Sequence, residues 1–314
     1  MYNHKSPHRE RWYPYGGFLF LFAFFILQAN PLLAQQRGVL RKSDVTIIYD
    51  EQLRSAVEEA AQLYPIVKED LEDILKWKVT FNPTILLVGD KEVFYRMAGS
   101  RLIVGFAIPD SDLMAIDYSR MNTDPFTLEA TIKHELCHLL LHKNIQSEFL
   151  PKWLDEGVAQ WVSGGLADII MNRGSVLNGA ILSDRYINLK ALTRSFPKDE
   201  RPLAIAYAES KNFVEHIIRQ YGTESLLVLL GFLKDGKEID EAILKSFSIS
   251  FDELEKKWYL GLRKRITWIT FIVNNIYGIL FFVSALLLIY AFMRALLKKR
   301  RYNEYEEDDN DFSA

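Results

Sequence analysis

Apolar and polar positions divide the chain into regions of different character. Residues 45–50 (VTIIYD) read as a strand, and residues 51–76 carry apolar positions at helical spacing. Residues 83–89 form a second apolar strand, and further strand-like pieces lie at 102–108 and 113–117. From there the pattern turns helical. Leu128, Ile132, Leu136, Leu139 and Leu140 share one face of a predicted helix, with Asp124 and Pro125 reading as its N-cap and first-turn proline. After a reversal at 143–152, marked by Pro151, helical patterns follow at about 154–171, 204–220, 223–234, 238–246 and 251–264. Ser250 and Glu253 make a capping-box pair for the last of these. Strands first and helices after predict an α+β fold.

Two apolar stretches flank this region. Lys5, Arg9 and Arg11 precede a short apolar run at 16–27, and a polar-to-small segment ends at Ala34. That is the layout of a secretory signal cut after Ala34, or of an uncleaved anchor. Residues 266–293 contain no charge. As a helix, 269–293 would be about 37 Å long, enough to cross a bilayer with some tilt. Lys256, Lys257, Arg263, Lys264 and Arg265 precede it, and Arg294, Lys298, Lys299, Arg300 and Arg301 follow it. The flanks are nearly balanced, so the signal-like start decides the orientation, with the central domain outside the cytoplasm. The expected organisation is a signal or anchor at 1–34, an extracytoplasmic domain at 35–265, a transmembrane helix at 266–293 and a basic-then-acidic cytoplasmic tail at 294–314, in a bacterial cell membrane.

Charge and cysteine content narrow the function classes. Residues 35–265 hold 30 basic and 34 acidic side chains, with no basic stripe that would suit a nucleic acid. Cys137 is the single cysteine, which excludes an intramolecular disulfide. Nothing in the pattern sets an oligomeric state.

The chemistry concentrates in two strings, HELCH at 134–138 and WLDEG at 153–157. On a helix, His134 and His138 lie four residues apart and project from one face, so both imidazoles can hold one Zn²⁺. Glu135 lies beside that face, where it can act on a water without being a ligand. A catalytic zinc needs a third protein ligand and an open position, and Glu156 at the start of the next helix is the candidate. His142, Asp155 and Gln160 lie nearby and read equally as surface or supporting residues. His216 reads as structural or exposed, and Cys137 as a small buried filler.

This pair of strings resembles the gluzincin metallopeptidases, which use HExxH and a downstream Glu. Seventeen residues, 139–155, separate His138 from Glu156, close to the spacing in the thermolysin and aminopeptidase N families. The segment WLDEGVA at 153–159 is similar to the WLNEGFA of aminopeptidase N relatives. Ala206-Tyr207-Ala208-Glu209-Ser210 is similar to a helix that often follows in the bacterial peptidase MA-like domain. The resemblance covers roughly residues 45–262. It implies a zincin fold with the metal between two subdomains, one zinc per chain on His134, His138 and Glu156, and Glu135 as general base. No segment like GAMEN precedes HELCH, so the resemblance does not extend to aminopeptidase specificity.

The expected activity is hydrolysis of peptide bonds by zinc-activated water, with a peptide or protein as substrate and the lipid bilayer as the other partner. Tyr207 is the candidate second electrophile, because a phenol can donate to an oxyanion without adding negative charge; a tyrosine among alanines on a helix equally reads as packing. A strand edge near 102–117 could take the substrate by β-addition. The alternative is a non-hydrolytic binding or scaffold protein that keeps the zincin fold at the membrane.

Overall fold

The computed structural model describes residues 37–311 apart from 124–125 and 165–172. The expected signal at 1–34 and the proposed cap at Asp124-Pro125 therefore lie outside the described residues. The described chain divides into two compact units, one running to Leu177 and taking in Tyr186–Glu255, the other comprising Asn178–Arg185 and Lys256 onward.

The first unit opens on a five-stranded sheet. Its strands are β1 (Arg37–Arg41), β2 (Thr46–Asp50), β3 (Thr84–Val88), β4 (Gly105–Ile108) and β5 (Leu113–Asp117), in the spatial order β1-β2-β3-β5-β4. β2, β3 and β5 run parallel, while β1 and β4 pair antiparallel at the two edges. β3 (TILLV) is buried along almost its whole length, as a central strand covered on both faces requires. The helix α1 (Arg54–Leu75) covers one face. It buries Ala56, Val57, Ala60, Tyr64, Val67, Leu71 and Leu75, a stripe at three- and four-residue spacing. On the other face, α2 (Lys91–Ala98) sets Phe94 against Leu86, Val88 and Ala115. Asp90 caps α2, its Oδ1 accepting from the amides of Glu92 and Val93 at 2.8 and 3.0 Å.

The helical half follows. α3 (Leu128–Asn144) carries HELCH and packs against α1, β4 and β5. It starts at Leu128, later than the sequence pattern suggests, because Thr127 supplies the cap: its Oγ1 accepts from Ala130 N at 3.2 Å. α4 (Lys152–Val162) carries WLDEG, and the described helix ends at Val162, short of the expected 171. Then come α5 (Arg173–Leu182), α6 (Glu200–Tyr221), α7 (Thr223–Lys234), α8 (Ile239–Phe247) and α9 (Phe251–Asn274). β1, α2 and α5 have no counterpart in the sequence pattern. β1 is short and mostly polar, with an alternation that only pairing to β2 makes visible.

Three helix C-termini, at Lys76 after α1, Asn144 of α3 and Lys234 of α7, meet around a cleft of about 510 Å³ that Lys78 and Lys143 also line. The partial negative charge of exposed carbonyl ends accounts for the lysines gathered there.

In the second unit, the uncharged stretch from 266 is divided. α9 continues to Asn274, and α10 (Ile276–Asp311) restarts after Asn275. The segment long and apolar enough to cross a membrane is Ile276–Leu296, about 31 Å as a helix. Its large apolar side chains stand exposed, Phe281 at 77% and Leu288 at 71%. Within the same unit, the Tyr259 hydroxyl and the Arg263 guanidinium both reach the Asp184 carboxylate.

Candidate metal centre

α3 and α4 bring the two motifs together. His134 and His138 lie one turn apart on α3, and Glu156 enters from the first turns of α4. His134 Nε2 and His138 Nε2 are 3.2 Å apart, and Glu156 Oε2 lies 3.8 and 3.6 Å from them. All three side chains are buried. A tetrahedral zinc with bonds of 2.0–2.1 Å needs ligand atoms roughly 3.3 Å apart.

The hydrogen bonds on the far sides of the rings decide what the near sides offer. His138 Nδ1 donates to Asp155 Oδ1 at 2.6 Å, and His134 Nδ1 donates to Ser163 Oγ at 3.4 Å. The Ser163 hydroxyl spends its own proton on Ala159 O at 2.8 Å. With Ser163 and Asp155 engaging the two Nδ1 atoms, the Nε2 atoms are the ones turned toward each other and toward Glu156, and each can offer a lone pair once it carries no proton. Glu156 Oε2 is buried and has no hydrogen-bond partner. Three donor atoms thus converge, an arrangement that calls for a cation between them: a proton on His138 in the metal-free chain, or a metal ion that displaces it. The residues present fit a zinc ion.

Charges around the site follow from burial and proximity. Burial, reinforced by the charge on His138, holds His134 down to about 3, so its imidazole is neutral. Burial works against charge on His138 too, but Asp155 and Glu156 outweigh it and raise its pKa to about 9 in the metal-free chain. Lys152 was not singled out by the sequence reading. Its Nζ donates to Glu156 Oε1 at 2.9 Å and to Asp155 Oδ2 at 3.1 Å. Burial opposes the Lys152 charge, yet Glu156, Asp155 and then Tyr207 hold its pKa well above the ordinary value. Lys152 therefore occupies one oxygen of Glu156 and leaves the other facing the imidazoles. The only advance signal was a Lys four residues before a Glu, which is common on any helix.

Asp155 is drawn into the same network. It accepts from His138, from Lys152 and from His142 Nε2 at 3.3 Å; burial pushes its carboxyl up, but the charges of His138 and Lys152 and the hydrogen bonds from His138 and His142 outweigh it and hold the group well below the usual range. His142 is thereby a neighbour of Asp155 and stands outside the three-residue cluster. Asp155→Asn should weaken zinc binding by about 10- to 100-fold, since the amide can still accept but loses the charge that fixes the His138 tautomer. Titration of the metal-free chain with zinc against a competing chelator reads this directly. An unchanged dissociation constant would remove Asp155 from the site.

Glu135 projects beside the cluster toward β4. It is 3% exposed, and burial pushes its carboxyl up to about 8 in the metal-free chain. Gly105 on β4 makes room for it: a Cβ there would lie 2.6 Å from Glu135 Oε1. Gly157 does the same for the helices. A Cβ on it would lie 2.6 Å from Ser210 O and from Val214 Cγ2, so α4 and α6 touch backbone to backbone beside the metal cluster. Gln160 Nε2 donates across this contact to Tyr207 O at 3.1 Å. The Tyr207 ring meets Phe196 edge-on at 5.2 Å. An aromatic group of Trp153, Phe213 and Phe251 seats the start of α4, with Trp153 5.1 and 5.7 Å from the other two rings. His216 lies apart from the cluster, stacked on Phe213 and held down to about 4, first by burial and then by Arg219. Cys137 is fully buried and burial pushes its thiol up.

No curated protein matches the chain. Among solved structures, Legionella pneumophila aminopeptidase A in complex with aspartic acid is similar at 14% identity and a TM-score of 0.44, covering 71% of this chain and 28% of that one. Yeast LTA4 hydrolase in complex with bestatin is similar at 12% identity and a TM-score of 0.44, covering 71% of this chain and 37% of that one. The chain thus spans roughly a third of the length of these proteins. A family model described as the peptidase MA superfamily matches residues 99–264. That match takes in both strings of the metal cluster and more than half of the sequence, and by it the chain belongs to the peptidase MA superfamily.

Proposed function

We propose that the chain is a membrane-anchored zinc metallopeptidase that hydrolyses peptide bonds, with one zinc held by His134, His138 and Glu156. One observation carries this reading: the buried Glu156 Oε2 has no hydrogen-bond partner among the described residues and faces the Nε2 atoms of two histidines at 3.8 and 3.6 Å. A zinc ion held there supplies a Lewis acid and renders water nucleophilic near neutral pH.

The remaining chemistry belongs to the side chains. Glu135 takes a proton from the attacking water and returns it to the leaving amine. Its burial against Gly105 fixes the carboxylate beside the metal ligands while leaving it outside their set. Lys152 and Asp155 hold Glu156 and His138 in their orientations. Tyr207 donates from its phenol to the carbonyl oxygen as negative charge develops there. β4 is an edge strand running past Glu135, so an extended substrate adding to it as a further strand would bring a peptide carbonyl alongside. The exposed apolar span Ile276–Leu296 supports anchoring in a bilayer, and the signal-like residues 1–34 favour a catalytic domain outside the cytoplasm.

The test uses the full-length chain in detergent, stripped of metal and reloaded. Wild type should take up one zinc and cleave members of a peptide library, and Glu156→Gln should fail to retain zinc against a chelator that wild type withstands. A wild-type chain that binds no zinc would sink the ligand assignment. A zinc-loaded chain that cleaves nothing would favour a binding protein on the same fold.

A further inference from the structure

α4 begins without a side-chain cap. Pro151 occupies the N-cap position and has no polar side chain, so the first amides of the helix must find acceptors elsewhere. Two of them do so in one distant segment. Lys152 N donates to Thr193 O at 2.8 Å, and Trp153 N donates to Leu192 O at 3.2 Å. The next two, of Leu154 and Asp155, return to Pro151 O at 3.0 Å.

The segment that supplies those carbonyls is itself held rigidly. Ala191 N donates to Asn188 O at 2.9 Å, Leu192 N to Leu189 O at 3.0 Å and Thr193 N to Lys190 O at 3.3 Å, a run of tight turns from 188 to 193. Leu189 and Leu192 are buried beneath it. At its start, two buried carboxylates from two different helices grip the chain. Glu209 of α6 accepts from Ile187 N with both oxygens, at 2.9 and 3.2 Å. Glu255 of α9 accepts from Leu189 N at 2.8 Å and from Asn188 Nδ2 at 3.1 Å.

Glu209 is fully buried and Glu255 is 5% exposed. Neither touches the metal cluster. A buried carboxylate is costly to keep, and an apolar residue would fill either position more cheaply unless the acceptor is needed. Burial, with a smaller contribution from Glu255, pushes the Glu209 carboxyl up to about 8, against the lowering effect of the Ile187 amide.

We infer that Glu209 and Glu255 form a buried clamp that positions the proposed third metal ligand, acting through the bracket 187–193 on the N-terminus of α4. The carboxylates fix residues 187–189, the turns carry that position to 192–193, and the carbonyls there tie down the two amides that lie one turn before Glu156. Glu209 and Glu255 are positioning residues, since neither meets substrate or metal. The inference rests on the reading of Glu156 as a ligand, but the mechanical part of it can be tested without metal.

The experiment measures residue-resolved amide hydrogen exchange at Lys152 and Trp153 in the full-length, metal-free chain, and then the zinc dissociation constant. Glu209→Leu fills the volume and removes the acceptor. Exchange at both amides should accelerate about tenfold, the scale of one lost hydrogen bond, and zinc should bind about 10- to 100-fold more weakly. Glu209→Gln retains an acceptor oxygen and should restore both to near wild type. Asn188→Ala, an exposed position, keeps the variant foldable if Glu209→Leu is not, and should accelerate exchange about fivefold. Unchanged exchange at Lys152 and Trp153 in Asn188→Ala, or equal damage from the Gln and Leu variants of Glu209, would overturn the clamp. Failure of wild type to bind zinc would overturn the ligand assignment instead and leave the exchange result standing on its own.

Discussion

Glu135→Gln should lower peptide cleavage by about 10²- to 10⁴-fold while one zinc remains bound. The split between the two readouts follows from placement. The three donor atoms that converge come from His134, His138 and Glu156, and Glu135 contributes none of them. Its side chain turns instead toward β4, where Gly105 leaves room for the carboxylate. Glutamine has the same shape and fills the same space, so packing and the neighbouring imidazoles are preserved. What it lacks is basicity, and a general base without basicity cannot accept the proton of the attacking water. Steady-state cleavage and zinc content measured on the same preparation check both halves. Loss of zinc together with activity would mean that Glu135 helps hold the metal, and cleavage that survives would remove it as the base.

Gly157→Ala should destabilise the protein by about 2 kcal/mol and lower its melting temperature by roughly 4–8 °C. Two effects compete. Alanine is the better helix former, by about 1 kcal/mol over glycine. Against that, the new Cβ would lie 2.6 Å from Ser210 O and from Val214 Cγ2. The first of these is backbone, which cannot swing aside, so α4 and α6 must separate by most of an ångström. Overpacking of this kind costs up to about 3 kcal/mol, and it wins. Because Glu156 adjoins Gly157, the same displacement should weaken zinc binding. A thermal melt with an equal or higher midpoint would show that the helices yield easily and that propensity dominates.

The local elements were largely legible because each rests on a local cause. The stripe from Ala56 to Leu75, the buried run 84–88 and the apolar positions of α3 express periodicities that survive without knowledge of their partners. Boundaries were less so. The start of α3 depends on which of several polar residues caps it, and Thr127 takes that role through its own hydroxyl. In the uncharged stretch from 266, the polar pair Asn274 and Asn275 separates a weaker outer third from the almost wholly apolar run after it, and the helix breaks at that pair.

The sequence by itself determined the inventory of the site: two imidazoles and a base at helical spacing in HELCH, and a carboxylate at a fixed distance along the chain in WLDEG. Spacing suffices there because four residues on a helix fix two side chains on one face. Only the tertiary structure decided which atoms face one another. Lys152 holds one oxygen of Glu156 and leaves the other bare, and Asp155 and Ser163 turn the two imidazole Nε2 atoms inward. The close crossing at Gly157 sets α4 against α6, and the bracket from 187 to 193 completes the unsatisfied start of α4. These are contacts between residues distant in the chain, and no periodicity encodes them. A short-range pattern can supply three candidate donors, but their convergence depends on how separate helices are packed and where their unpaired amides find acceptors.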